Sequence, residues 1–341
     1  MIKSLELINF RNHGRLNLRF SKNFVYIYGE NGCGKTSILE AIYYLSTTKS
    51  FRTNEDKEII KLGEPFSKIS LKNNTNEFEI VLSKTGKRVA VDKAEKKKIS
   101  EYLGGFNAVV FALEDLNLIK GSPSDRRQFM DLEFSRLDGE YLRLLNEYKK
   151  ILKQRNALLK RINIGDDYTL LDILGNSLWE IGVKILEKRN KYLSDLDVLL
   201  KDIYKEFSSY KIELKYEPNV NDLEFHKWIT KKQDVDIILK STNAGIHKDD
   251  FILKINNNEA RGYGSNGEQR LIVICLKMAL LSKIKEINNK EIVLLLDDVL
   301  SELDDNKQGM ILNKIPRENM IIITSASPCK IVENIEIIKL N

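Results

Sequence analysis

The sequence predicts an α/β fold: a mixed sheet with helices, an attached antiparallel β layer, and an inserted, mainly α-helical lobe. Three observations carry this. The apolar run Phe24–Tyr28 passes through a glycine-rich turn into Ile38, Leu39, Ile42 and Leu45, apolar at helical spacing, which reads as strand, loop, helix. Far along the chain, Ile292–Leu296 is a continuous apolar run ending in two aspartates, the pattern of a strand buried on both faces. Between them lie roughly a hundred residues whose apolar positions recur at three and four.

The bulk composition fits a two-domain protein. At 341 residues and 42% hydrophobic content, the chain can build a conventional core. No apolar run approaches the ~18 residues of a membrane span, and Met1-Ile2-Lys3-Ser4-Leu5 reads as structure rather than as a signal segment. We therefore expect a cytoplasmic protein. Cys33, Cys275 and Cys329 are odd in number and far apart, which argues against a disulfide framework and against zinc, and for a reducing compartment. A net charge of +6 is compatible with a polyanionic partner without requiring one.

In chain order, residues 2–28 are rich in β-formers. Ser67–Leu71, Glu77–Leu82 and Lys87–Val91 alternate as an antiparallel meander, followed by apolar Val109-Val110-Phe111. Ser122, Pro123 and Asp125 predict a helix start, as N-cap, first helical residue and capping-box partner. From there to about Thr230 the pattern is mostly helical. Leu145, Tyr148, Leu152 and Leu159 form one stripe, and Leu171, Leu174, Leu178, Ile181, Ile185 and Tyr192 a second, separated by 163–167. We expect a helical arm over 123–237 and a core over 1–122 and 238–341. Phe251–Ile255 reads as a strand, Gly267–Ile284 as an apolar helix, Asp304–Ile315 as a helix, and Met320–Ile323 as a last strand running into Thr324.

The chemistry sits in the turns. Gly29, Glu30, Asn31, Gly32, Cys33, Gly34, Lys35, Thr36 and Ser37 hold the GxxxxGK[ST] spacing of a phosphate-binding P-loop, in the strand-loop-helix context that the motif requires. Glycines let backbone N–H groups approach phosphates, and the helix beginning near Lys35 adds its positive dipole end. Lys35 would reach the β/γ-phosphates of ATP and Thr36 would take one Mg2+ position. Asp297 closes a Walker B strand, where a carboxylate holds Mg2+ directly or through water, and Asp298 is placed to polarise the attacking water.

A third segment, Gly264-Ser265-Asn266-Gly267-Glu268-Gln269-Arg270, precedes Walker B at the head of a helix. P-loop, Ser-x-Gly-[EQ]-Gln and Walker B in this order are the layout of ABC-type ATPases. There, Ser265, Gly267 and the helix N-terminus would form a second anion-binding surface that caps the γ-phosphate held by the opposite subunit, so that composite sites form only in a dimer. Ser301-Glu302-Leu303-Asp304 resembles the D-loop crossing the same interface.

The chain resembles the RecF family of bacterial recombination mediators, which are built on an SMC-like ABC ATPase head. The resemblance is carried by Leu7-Ile8-Asn9-Phe10-Arg11-Asn12, Lys49-Ser50-Phe51-Arg52-Thr53, Glu114-Asp115-Leu116, Lys120-Gly121-Ser122-Pro123-Ser124-Asp125-Arg126-Arg127, Gly245-Ile246-His247-Lys248-Asp249-Asp250 and the Walker B segment. It implies an ATP-dependent homodimer that binds duplex DNA or single/double-strand junctions and works with RecR and RecO to load the recombinase at gaps. It also implies that Arg11 and Asn12 approach the nucleotide. Departures from the family are Leu113, commonly proline, and Glu268, commonly Gln. Relative to transport ATPases, Thr324 replaces a His and Asp298 a Glu. The shorter carboxylate predicts weak, slow ATP hydrolysis, with ATP acting mainly as a dimer clamp.

Other readings stay open at this stage. No Asn-Lys-x-Asp motif supports a GTPase, and the helical insertion is too large for a transport ATPase. Another SMC-like head, serving as a nucleotide-gated scaffold or nuclease partner, is the alternative. His247, Asp249 and Asp250 read as structural ahead of catalytic, and Arg126 and Arg127 as partners of acids within the arm. Lys84, Lys87, Arg88, Lys93, Lys96, Lys97 and Lys98 form the densest basic stretch, a solvated face or a phosphate-contacting one.

Overall fold

The computed structural model describes residues 1–53, 55–221, 233–288, 291–298, 309, 319–328 and 334–340. Two compact units emerge: Met1–Leu116 with Val273–Asn341, and Asn117–Ile272.

Among the described residues, the first unit contains two sheets. The antiparallel sheet has the order β2-β1-β4-β5-β6-β7, from β1 (Ile2–Phe10), β2 (His13–Arg19), β4 (Phe66–Asn73), β5 (Glu77–Ser83), β6 (Gly86–Val91) and β7 (Ala94–Glu95). The parallel sheet has the order β14-β3-β13-β12-β8, from β3 (Phe24–Tyr28), β8 (Asn107–Phe111), β12 (Ile292–Asp297), β13 (Met320–Ser325) and β14 (Glu336–Lys339). Helix α1 (Lys35–Thr47) touches strands of both sheets. Enclosure on both sides explains why Ser37–Thr47 is buried throughout and why the helix has no polar face. β12 is buried along its whole length, as its unbroken apolar run predicts.

The second unit is a helical lobe that also carries a small sheet. α2 (Asn117–Lys120) leads into α3 (Pro123–Leu137), where the Asp125 carboxylate accepts the Ser122 backbone N–H at 2.7 Å in the predicted capping box. α4 (Gly139–Leu159) and α5 (Thr169–Tyr204) form the hairpin around 163–167. The helical stretch expected up to Thr230 is interrupted by a strand, and its last part, 222–230, lies outside the described residues. β9 (Ile212–Glu217) pairs antiparallel with β10 (Asp250–Ile255), which pairs with β11 (Asn258–Glu259). Because β10 bonds along its length to β9, residues 238–272 pack with the lobe, and so do 117–122; the expected boundaries at 122/123 and 237/238 lie elsewhere by contact. A single six-residue alternating strand after a long helix is a weak periodic signal, and its pairing is non-local. The Ser301–Asp304 segment, the expected helix 304–315 apart from Gly309, and Cys329 fall outside the described residues.

Candidate nucleotide site

Topology brings the P-loop and Walker B together. β13 lies between β3 and β12, in parallel register Thr324↔Ile27 and Asp297↔Thr324, so three strands end at one edge. The carboxyl edge of a parallel sheet is where α/β folds bind ligands. At that edge the Thr36 hydroxyl donates to Asp297 Oδ1 at 3.0 Å, and the Thr324 hydroxyl donates to the same oxygen at 2.7 Å. Asp297 is 8% exposed and, among the described residues, has hydroxyl donors but no ion-pair partner. Loss of hydration pushes its carboxyl above the usual range; the two hydroxyls oppose that, and the neighbouring Asp298 charge adds to it. Glu114, in the turn after β8, is likewise pushed up, by desolvation first and then by Asp297. Asp298 adopts a left-handed backbone (φ 52) and donates its N–H to Thr324 O at 3.2 Å, which turns the chain off the strand end.

Gly34 caps α1 in the left-handed region at φ 98, which favours glycine. A Cβ there would overlap the His13 ring, so the residue is constrained twice. A Cβ on Gly29 would meet the Leu340 carbonyl at 2.5 Å. Lys35 Nζ donates to the Gly29 and Glu30 carbonyls at 2.7 and 2.8 Å and lies 3.9 Å from Cys33 Sγ. Glu30, Asn31 and Gly32 are exposed at the loop's crown, whereas Ser37 is buried in the first helical turn.

The β1–β2 turn reaches the same loop. Asn12 Nδ2 donates to Gly32 O at 3.0 Å, and His13 Nε2 lies 3.2 Å from Gly34 O. Arg11 is engaged differently: Nε donates to the fully buried Glu40 at 2.9 Å and Nη1 to Glu58 O at 2.8 Å. Glu40 also accepts from Arg52 at 3.3 Å. A carboxylate buried in an apolar helix needs such cations. Sequence reasoning did not assign Glu40 or His13. Glu40 was detectable as the one charge within Ile38–Leu45, and His13 only as a neighbour of Asn12.

In the second unit, the helix Asn266–Asn288 begins with a reciprocal cap. Glu268 Oε2 accepts the Ser265 N–H at 2.6 Å, and the Ser265 hydroxyl accepts the Glu268 N–H at 3.3 Å. Gln269 Nε2 ties the preceding turn together through the Ala260 and Gly264 carbonyls at 2.9 and 3.0 Å. Nothing lies within 4 Å of a Cβ built on Gly267, so packing does not demand glycine there; close approach of a ligand would.

The remaining candidates separate cleanly. His247 accepts from the Tyr148 hydroxyl at 2.9 Å and donates to Thr242 O at 3.0 Å; burial pushes it down to about 4, so it is a neutral core histidine. Asp249 is fully buried and receives Arg189 at 2.8 Å and the Asn219 N–H at 2.9 Å. Asp250 takes Arg126 bidentately at 2.6 and 2.8 Å, and Arg127 donates to Asp249 O at 3.0 Å. In the basic stretch, Lys84, Arg88, Lys93, Lys97 and Lys98 are exposed. Lys87 is not part of that face. It turns inward to Asp56 at 2.8 Å, Thr48 O at 2.8 Å and the Tyr44 hydroxyl at 3.0 Å. No helix among the described residues is long and apolar enough to cross a membrane.

The RecF/RecN/SMC N terminal domain family model matches residues 1–336. The DNA replication and repair protein RecF of Acholeplasma laidlawii is 46% identical over 96% of this chain and 94% of its own. RecF of Clostridium novyi is 41% identical over 98% and 95%. A solved structure described as the recombination mediator protein RecF-ATP in the RecFOR pathway superposes with a TM-score of 0.91 at 34% identity, covering 97% of this chain and 93% of that one. An Smc head bound to the C-winged helix domain of ScpA, 17% identical with a TM-score of 0.51, shares the fold. With its P-loop and Walker B joined at one sheet edge and these likenesses spanning nearly its whole length, the chain belongs to the RecF family.

Proposed function

We propose that this chain is an ATP-dependent DNA-binding protein of recombinational repair, acting in the cytoplasm as a nucleotide-gated homodimer. The observation that supports it most is the Thr36–Asp297 junction at the carboxyl edge, in a chain that resembles a RecF solved with ATP. Loop N–H groups from Gly29 to Ser37 and the Lys35 ammonium bind the phosphates. The hydroxyl and carboxylate oxygens of Thr36 and Asp297 are hard donors that fit Mg2+, and a dication would draw the raised Asp297 carboxyl back to its ionised form. Mg2+ neutralises charge on the phosphates when bound. Asp298 positions the attacking water; one methylene shorter than Glu, it makes hydrolysis slow.

Ser265, Gly267 and Glu268 of one copy close on the γ-phosphate held by the second. The Ser265 hydroxyl accepts within its own cap, which leaves its proton to donate to an anion. The dimer binds duplex DNA and single/double-strand junctions through phosphate contacts, the exposed lysines of 84–98 among them, and acts with RecR and RecO to load the recombinase at gaps. Light scattering with ATP, with ADP, and with Asp298→Asn in ATP tests the gate. Dimers with ATP only, accumulating in the variant, are the expected result; association indifferent to nucleotide contradicts it. Binding to gapped, duplex and single-stranded DNA with and without ATP tests the DNA role, with ATP-dependent preference for gapped and duplex substrates expected.

A further inference from the structure

We infer that the β1–β2 turn is a backboard for the P-loop, with Asn12 and His13 acting as positioning residues that aim loop amides at the nucleotide without touching it. The inference rests on the nucleotide-binding reading of the site.

In a trans peptide the carbonyl of one residue and the N–H of the next point in opposite directions. Asn12 Nδ2 holds the Gly32 carbonyl at 3.0 Å, and His13 Nε2–H holds the Gly34 carbonyl at 3.2 Å. No cis peptide occurs among the described residues. Pinning these two carbonyls to the turn therefore directs the Cys33 and Lys35 N–H groups to the opposite side of the loop. Cys33 N–H makes only a long 3.4 Å bond to Glu30 O, a donor that a phosphate oxygen can take over. Lys35 N–H belongs to the first turn of α1, where helices leave their donors unsatisfied.

The turn is rigid enough for this task. Phe10 pairs with His13 across a two-residue connection, and Phe10 is fully buried. Arg11 anchors the same connection to Glu40 and to Glu58 O, and its N–H donates to Ile59 O at 2.7 Å. The His13 ring and the Asn12 amide oxygen occupy the space where a Cβ of residue 34 would lie, so the turn and the loop meet backbone to side chain without slack. Preorganised donors bind an anion without first reorganising, which is the advantage such a support confers.

The test is calorimetric titration of the full chain with Mg-ADP, with Mg-ATP and with AMP, at concentrations where light scattering shows monomer. Asn12→Ala and His13→Ala should each weaken ADP and ATP by the same factor, about 3- to 10-fold, the worth of one neutral hydrogen bond. AMP, which lacks the β-phosphate, should bind unchanged. His13→Gln, which keeps a donor, should recover most of the loss, and unaltered thermal unfolding excludes misfolding as the cause. A loss confined to ATP would show direct γ-phosphate contact and overturn the positioning role. Wild-type ADP affinity in folded Asn12→Ala and His13→Gln, with no loss in His13→Ala, would overturn it as well. If the wild type itself binds no ADP, the nucleotide reading fails together with this one.

Discussion

Two buried carboxylates, one in each unit, show how differently this chain treats charge. Asp297 ends a parallel strand with two hydroxyl donors and, among the described residues, no basic side chain paired to it. Asp249 in the helical lobe is fully buried against Arg189, whose guanidinium also holds Asp131 at 2.8 Å, Ile246 O at 2.6 Å and the Tyr141 hydroxyl at 3.0 Å. Burial raises both carboxyls; in the lobe Arg189 pairs directly with the carboxylate, whereas Asp297 feels Arg52 only as a weaker charge and forms no ion pair with it. A buried charge left for something else to balance marks a site; one balanced internally marks a scaffold.

The contrast breaks most visibly at Arg189. Truncation to Ala leaves Asp249 buried and uncompensated and should cost about 3–5 kcal/mol in unfolding free energy, measured by denaturant titration. His247 sharpens it through pH. Its folded pKa, about 4, lies below the unfolded value of about 6.5, so protonation favours unfolding. Its contribution is full above about 6.5 and is lost as pH falls towards 4, on the order of 3 kcal/mol. Asp249, raised, works in the opposite sense, so the comparison must be wild type against His247→Gln at each pH, with the acid-labile component absent from the variant.

At the site the expectation reverses. Asp297→Asn should lower Mg2+-dependent ATP hydrolysis by roughly 100-fold or more while leaving or raising thermal stability, because it removes a buried charge that has no ion-pair partner among the described residues. Read in a coupled phosphate-release assay alongside melting curves, a stability loss comparable to that of Arg189→Ala would erase the distinction. The smallest effect concerns Glu268. Gln retains the cap geometry while removing a negative charge from the helix terminus proposed to face the γ-phosphate, so Glu268→Gln should tighten ATP-dependent dimerisation a few-fold.

The core of the fold was legible because its signals are local or continuous. The run Ile292–Leu296 could only be a strand buried on both faces, and Gly34-Lys35-Thr36 between a strand and an apolar helix left little room for another reading. β9 was missed because six alternating residues carry little weight until β10, more than thirty positions later, pairs with them. Lys87 read as one more surface lysine in a basic run, yet its place opposite Leu82 in the register sends it inward to Asp56 and Tyr44. The two sides of a strand differ by a single position, and only register tells them apart.

The sequence alone therefore determined the inventory: a P-loop, a Walker B strand, a signature helix and a helical insertion, each set by residue type and spacing within a short segment. Tertiary structure decided what those parts face. Strand order set Thr324 beside Asp297, whose carboxylate also accepts from Thr36, the buried Glu40 engaged Arg11, and a hairpin turn brought Asn12 and His13 onto the P-loop carbonyls. These outcomes depend on contacts between residues far apart in the chain, and on where an unpaired charge or carbonyl can be satisfied once water is excluded.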